Sequence, residues 1–152
     1  MKTIFLFLFA GLMAAPAFSQ VYNGDVSSAS IEQKLNDEYC SGLFHSTHGT
    51  IIDVASNPSV RSYQNILDWL PGRVAGLQVY STRTGTSIPV IRGGVPAIFV
   101  DEMQVNAQFL NMLNINDIAI VKIIKTPFPG GFNGGYGAIA VYTFGDEEDE
   151  EE

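Results

Sequence analysis

Three short stretches decide the fold of this chain, because each joins apolar strand residues to glycine. They are Leu70-Pro71-Gly72-Arg73-Val74-Ala75-Gly76-Leu77-Gln78-Val79, Ile91-Arg92-Gly93-Gly94 and Gly134-Gly135-Tyr136-Gly137-Ala138-Ile139-Ala140-Val141-Tyr142-Thr143. Short apolar runs bounded by glycine are typical of strands that end in turns, since glycine adopts backbone conformations that a side chain denies. The three stretches therefore predict a small β-sheet with glycine-rich connections.

Apolar runs elsewhere complete the predicted sheet. The run 115–124 gives the strongest strand signal, and we expect it to be central. The nearly continuous apolar run 96–100 is typical of a strand covered on both faces. The remaining predicted strands are an edge strand over 51–54, a pair over 74–79 and 88–91 joined by the turn 83–86, and a last strand over 138–144.

Two short helices interrupt these strands. Ser62 is the predicted N-cap of a helix of about two turns that carries Ile66, Leu67 and Leu70 and stops at Pro71-Gly72. Asn106 is the predicted cap of a second helix, which carries apolar side chains up to Leu113. The order strand, helix, three strands, helix, two strands predicts an α+β fold, a small mixed β-sheet with two short helices.

In order and spacing, the three stretches resemble the plug domain of TonB-dependent receptors, and more narrowly the plug of the SusC/RagA-like outer-membrane receptors. In that family, Gly-Arg-Val-Ala-Gly-Val-Gln-Val precedes an Ile-Arg-Gly strand, an aliphatic-Val-Asp hairpin, an Asn-Asp-Ile strand and a glycine-rich final hairpin. The resemblance covers roughly half of the chain and implies a plug-like fold. Asp101-Glu102 stands where the family has Asp-Gly, and because tight hairpin turns favour glycine, we expect a wider connection there.

Arg92, Gly93 and Gly94 are the candidate partner-binding residues. An arginine at the end of an apolar strand must reach solvent or pair with a carboxylate. In the plug domains that the chain resembles, the arginine of the Ile-Arg-Gly signature faces the barrel wall and pairs with its glutamates. Two hypotheses follow for Arg92: it pairs internally with Asp101 or Glu102, or it marks a surface on which a partner docks.

The two ends of the chain differ in character from the middle. Residues 1–19 combine Lys2, an apolar run and small residues near the end, the pattern of a secretory signal peptide. Residues 20–49 form a polar linker with one short helix, and residues 50–145 form the predicted plug-like domain. The tail 146–152 is entirely acidic and is predicted to be disordered, with a role in solubility or in weak binding of cations or basic partners.

Composition argues against several classes of function. The net charge is −8 and no basic cluster is present, so the sequence has no footprint for nucleic-acid binding. The only cysteine, Cys40, cannot form an internal disulfide and is predicted to be buried and inert. His45 and His48 lack the further ligands of a zinc site, and no catalytic motif is recognisable. We therefore expect no enzymatic activity, no cofactor and no metal.

Two hypotheses about function remain open. In the first, the protein is a detached plug or envelope-complex subunit that associates with an outer-membrane barrel or another envelope protein. In the second, it is a free-standing periplasmic binding module that kept the plug fold without transport. Both place the exported chain in the periplasm or on the periplasmic face of the outer membrane, with no transmembrane segment in the mature chain. The segment 50–54 matches poorly the acidic-aliphatic run that recruits TonB, so TonB contact is not indicated.

Overall fold

The computed structural model describes residues 24–145, with side chains from Ser28 onward, and the predicted signal peptide and acidic tail lie outside this range. Within it, the chain forms four α-helices and seven β-strands. The helices are α1 (Gly24–Tyr39), α2 (Gly42–Ser46), α3 (Ile66–Trp69) and α4 (Ala107–Met112). The strands are β1 (Thr50–Asp53), β2 (Leu77–Ser81), β3 (Ser87–Ile91), β4 (Ala97–Val100), β5 (Met103–Val105), β6 (Ile118–Ile124) and β7 (Ala138–Thr143).

The strands form two sheets. Five of them make a mixed sheet in the order β1-β6-β7-β4-β5, in which only the β4–β7 pair is parallel. The predicted edge strand is confirmed as β1, and β6 lies inside the sheet next to it, although β7 takes the middle position. The structure confirms the α+β fold, and it adds β5, a strand that the sequence did not predict.

The large sheet is buried on both faces, which explains the unbroken apolar runs of its inner strands. Every residue of β4 and β6 is buried, as expected for strands covered on both sides. One face packs against α3, α4 and the β2–β3 pair, with Trp69 fully buried in that cluster. The other face packs against α2 and part of α1, where the rings of Phe44, Phe99 and Phe128 meet at centroid distances of 4.9–5.6 Å.

Strands β2 and β3 pair only with each other, so the single predicted sheet is in fact divided. Asn111 of α4 attaches this hairpin to the body. Its side-chain oxygen accepts a hydrogen bond from Ser87 N at 2.9 Å, and its amide donates to Ser87 O at 2.8 Å. The hydroxyl of Ser87, which is itself buried, donates to Asp68 at 2.8 Å. One amide side chain thus replaces the neighbouring strand that β3 lacks.

The helix caps follow local side-chain geometry. Asn106 caps α4 as predicted, since its side chain accepts a hydrogen bond from Phe109 N at 2.8 Å. The predicted Ser62 cap is wrong, because Ser62 ends a 3₁₀-helix over Pro58–Ser62. Asn65 caps α3 instead, accepting from Asp68 N at 2.9 Å. The helix is consequently one turn long, shorter than expected.

The connection between β4 and β5 also differs from the prediction, because it is a two-residue turn and not a wider loop. Val100 pairs with Met103, and both Asp101 and Glu102 have positive φ, 46° and 65°. The Asp101 carboxylate accepts hydrogen bonds from the Thr143 backbone and hydroxyl, at 2.9 and 2.8 Å. Ser41 donates from its backbone and hydroxyl to Glu102, at 2.6 and 2.5 Å. These tertiary bonds hold a backbone conformation that usually requires glycine.

The helices before Thr50 pack on the sheet. Two helices stand where the sequence predicted one short helix: α1 is 16 residues long, α2 follows it, and Cys40 and Phe44 are buried against the sheet. The boundary at residue 50 stays a prediction, but buried side chains are present on both sides of it. Among residues 24–145, no helix is both long and apolar enough to cross a membrane.

Candidate docking surface

Arg92 occupies the tip of a tight turn. Ile91 and Gly94 exchange two backbone hydrogen bonds, of 2.9 and 3.1 Å, and the two residues between them have positive φ, 55° for Arg92 and 85° for Gly93. Positive φ costs glycine nothing but is uncommon for arginine. The turn therefore presents the Arg92 side chain outward, beyond the end of β3.

The internal pairing considered for Arg92 is wrong. Asp101 and Glu102 are bonded to Thr143, Ser41 and Tyr142. Among the side chains of residues 28–145, no carboxylate oxygen lies within 4 Å of the Arg92 guanidinium, which donates a hydrogen bond of 3.3 Å to the Lys125 carbonyl. Arg92 is exposed, so its remaining donors face solvent.

The structure brings two of the three glycine signatures together beside this arginine. A side chain at Gly94 would lie 2.5 Å from the Tyr136 ring, so that ring rests directly on the Gly94 backbone. Tyr136 belongs to a short 3₁₀-helix over Gly134–Tyr136, and it is 47% exposed. Gly137 O accepts a hydrogen bond from Ala97 N at 3.0 Å and fixes this helix against β4. We call the exposed region formed by residues 92–95, Lys125 and Tyr136 the Arg92 surface.

The backbone of the glycine-rich segment packs too closely for side chains. A Cβ at Gly134 would approach Phe128 O to 1.9 Å, and one at Gly137 would approach Ile124 O to 2.2 Å. Phe128 N donates to Gly134 O at 2.7 Å across the same contact. These glycines position Tyr136, and through it the shape of the Arg92 surface.

The Arg92 surface is suited to binding a carboxylate-bearing partner. It offers a guanidinium, whose planar set of N–H donors matches a carboxylate with two parallel hydrogen bonds. Tyr136 adds an aromatic face of the kind enriched in protein interfaces. The role of Arg92, Gly93 and Gly94 in partner binding stays a prediction, whereas the contacts of the Tyr136 ring and the Lys125 carbonyl with this turn follow only from the fold.

The other candidate residues lie on the opposite face of the sheet. Cys40 is 7% exposed, and burial raises the pKa of its thiol, which keeps the thiol protonated and weakly reactive. His45 lies on α2, with Nε2 2.9 Å from Asp37 Oδ1. Among residues 24–145, no group of three or more His, Cys, Asp or Glu side chains is placed to hold a metal ion.

Lys122 is a buried polar residue that the sequence analysis missed. It lies within β6 at 2% exposure, and its amine donates to Phe44 O at 2.5 Å and to the side-chain oxygen of Asn36. Burial lowers the pKa of this amine. A lysine inside the otherwise apolar run 118–124 is the sequence signal that would have identified it.

The described residues form a small α+β domain that exposes Arg92 beside the Tyr136 ring, and known structures share this fold. The structure of the RagAB peptide importer in the closed-closed state matches 65% of this chain with a TM-score of 0.52 and 25% sequence identity. The structure of the RagAB peptide transporter matches 64% of this chain, with a TM-score of 0.51 and 24% sequence identity. The structure of the RagAB peptide importer in the open-open state also matches 64% of this chain, with a TM-score of 0.50 and 25% sequence identity.

In each case the match spans 12% of the larger protein's chain. No protein-family model matches the sequence, and no curated protein matches it. This chain is therefore similar in fold to one segment of an importer, in line with the SusC/RagA-like resemblance of its sequence.

Proposed function

We propose that this protein is a non-enzymatic plug-like domain of an outer-membrane transport system, acting as a detached plug or as a subunit of an envelope complex. The similarity to one segment of the RagAB importer structures supports the transport context. In this proposal the protein is exported, lies at the periplasmic face of the outer membrane, and docks through Arg92, Gly93 and Gly94 on a barrel or another envelope protein.

The observation that supports the docking role is that Arg92 has a strained backbone conformation and no carboxylate partner in the part of the chain that the structure describes. The turn holds it at a φ of 55°, a conformation of arginine that costs on the order of 1 kcal/mol or more. Among the side chains described, those of residues 28–145, no carboxylate partner offsets that cost. A partner that supplies a carboxylate would complete the hydrogen bonds of the guanidinium and would explain why the residue at this turn carries a charge.

The test is photo-cross-linking in the native envelope. A photoreactive amino acid replaces Val95, which lies in the Arg92 surface, and in a control protein it replaces Tyr80 on the β2–β3 hairpin. We expect Val95 to cross-link to an outer-membrane barrel protein and Tyr80 to give no such product. A wholly periplasmic monomer without cross-links would instead favour the free-standing binding module.

Charge reversal supplies a matched comparison. Arg92→Glu should lower the recovered cross-link at least about tenfold, because the lost hydrogen bonds and the new repulsion both oppose docking. Arg83→Glu makes the same change in the exposed turn at the opposite end of the hairpin and should leave recovery unchanged. Equal recovery from the two variants would refute the role of Arg92.

A further inference from the structure

A cavity of about 390 Å³ lies between α1, residues 45–49 and the large sheet. The sheet forms its floor with Ile51 and Lys122, and α1 forms one wall. This volume falls at the lower end of the roughly 300–1,000 Å³ typical of small-molecule sites. None of its lining residues belongs to the Arg92 surface, so the cavity is a separate feature of the molecule.

The floor of the cavity carries a cation without a counter-ion. An ammonium group has three N–H donors, and the two acceptors of Lys122, Phe44 O and the Asn36 side chain, are both neutral. Among the side chains of residues 28–145, no carboxylate oxygen lies within 4 Å of its Nζ. Buried charges in proteins are ordinarily paired, because removing an ion from water without compensation is costly. An anion bound at this floor would offset the charge of the Lys122 ammonium group.

The wall formed by α1 has the opposite charge. Glu32 and Asp37 both line the cavity, both are exposed, and Asp37 also contacts His45 of the facing wall. A multiply charged anion would be attracted to the floor and repelled by this wall. A ligand with one carboxylate and one ammonium group would be attracted to both.

We propose that this cavity binds a small zwitterion of the size of a free amino acid, with its carboxylate on the Lys122 amine and its ammonium group toward Glu32 and Asp37. Gln33, Ser46 and Thr47 line the same space and offer neutral hydrogen-bonding groups to a polar side chain. The ligand carboxylate supplies the counter-ion that the buried amine lacks. This binding role does not depend on docking through Arg92.

The test is calorimetric titration of the purified mature chain with glycine, L-serine and L-glutamine. We expect saturable binding of at least one of them. The N-acetylated form of that amino acid, which lacks the ammonium group, and its amide, which lacks the carboxylate, should each bind at least about tenfold more weakly. Absence of saturable binding by all three, or equal binding of the free and blocked forms, would overturn the proposal.

Matched variants separate the site from the rest of the helix. Lys122→Met and Glu32→Gln should each weaken binding at least about tenfold, because each removes a charged group that faces one end of the ligand. Lys34→Met and Glu38→Gln make the same changes at exposed positions of α1 that do not line the cavity, and they should bind like the wild type. Undiminished binding by a folded Lys122→Met protein would contradict the assignment.

A spectroscopic readout keeps the proposal testable if Lys122→Met does not fold. In the wild-type protein, the side-chain Cε resonance of Lys122 should shift when the free amino acid is added and should stay in place when its amide is added. A resonance that responds to neither ligand would show that the amine does not meet the carboxylate.

Discussion

Replacing Gly134 with alanine should destabilise the fold, whereas the same change at the adjacent Gly135 should not. A Cβ at Gly134 would lie 1.9 Å from Phe128 O, and both atoms belong to segments joined by the 2.7 Å hydrogen bond from Phe128 N to Gly134 O. No side-chain rotation relieves a clash with backbone. Overpacking typically costs about 1–3 kcal/mol, and we expect Gly134→Ala to reach the upper end, about 3 kcal/mol.

Gly135 is a control in the same short helix. A Cβ there would meet nothing within 4 Å, and its φ is not in the positive range. Alanine at such a position stabilises by about 0.4–1 kcal/mol, because it restricts the unfolded chain. The two variants should therefore differ by about 3–4 kcal/mol in the free energy of unfolding, with the destabilised one also losing the Tyr136 contact with Gly94.

Urea unfolding followed by the fluorescence of Trp69, the only tryptophan, measures this difference. Trp69 is fully buried, so its emission reports the loss of the core. We expect the midpoint of Gly134→Ala to fall well below that of the wild type and the midpoint of Gly135→Ala to equal or exceed it. Coincident midpoints for the two variants would refute the close packing of the glycine-rich segment, and with it our account of how Tyr136 is positioned.

Three further predictions concern the opposite face of the sheet. Phe44→Ala should lower the free energy of unfolding by about 3–5 kcal/mol, because it removes a ring that packs on two others. Phe132 is 83% exposed, so Phe132→Ala should change the free energy of unfolding by less than about 0.5 kcal/mol. Chemical denaturation measures both changes. Because burial raises the pKa of the Cys40 thiol, alkylation by iodoacetamide at neutral pH should be much slower in the folded protein than in urea, and equal rates would contradict its burial. Burial lowers the pKa of the Lys122 amine from its usual 10.5, so the native state releases this proton at a lower pH than the unfolded state does. The free energy of unfolding of the wild type, measured relative to that of Lys122→Met, should therefore rise with pH between the lowered pKa and 10.5. If denaturation experiments show a difference in unfolding free energy between the two proteins that stays constant over this pH range, the lowered pKa of Lys122 is contradicted.

Local patterns determined much of what the sequence predicted correctly. The strand run 96–100 and the Asn106 cap depend on neighbouring residues, and both appear where expected. The predicted Ser62 cap failed because Ser62 belongs to the 3₁₀-helix Pro58–Ser62, and α3 begins after Asn65, which caps it. The turn at Asp101-Glu102 is tight for a different reason, since its positive φ angles are stabilised by Ser41 and Thr143, which are distant in sequence.

The sequence by itself determined every strand among residues 24–145 except β5, to within a few residues at the boundaries, and the position of the Arg92 turn, because periodicity, glycine placement and capping act over a few residues. Only the tertiary structure decided that the Tyr136 ring lies on Gly94, that Arg92 has no carboxylate partner among the side chains of residues 28–145, and that Lys122 lines a cavity with Glu32. These contacts join residues separated by tens of positions. They arise from how the sheet is ordered and covered, which no local pattern specifies.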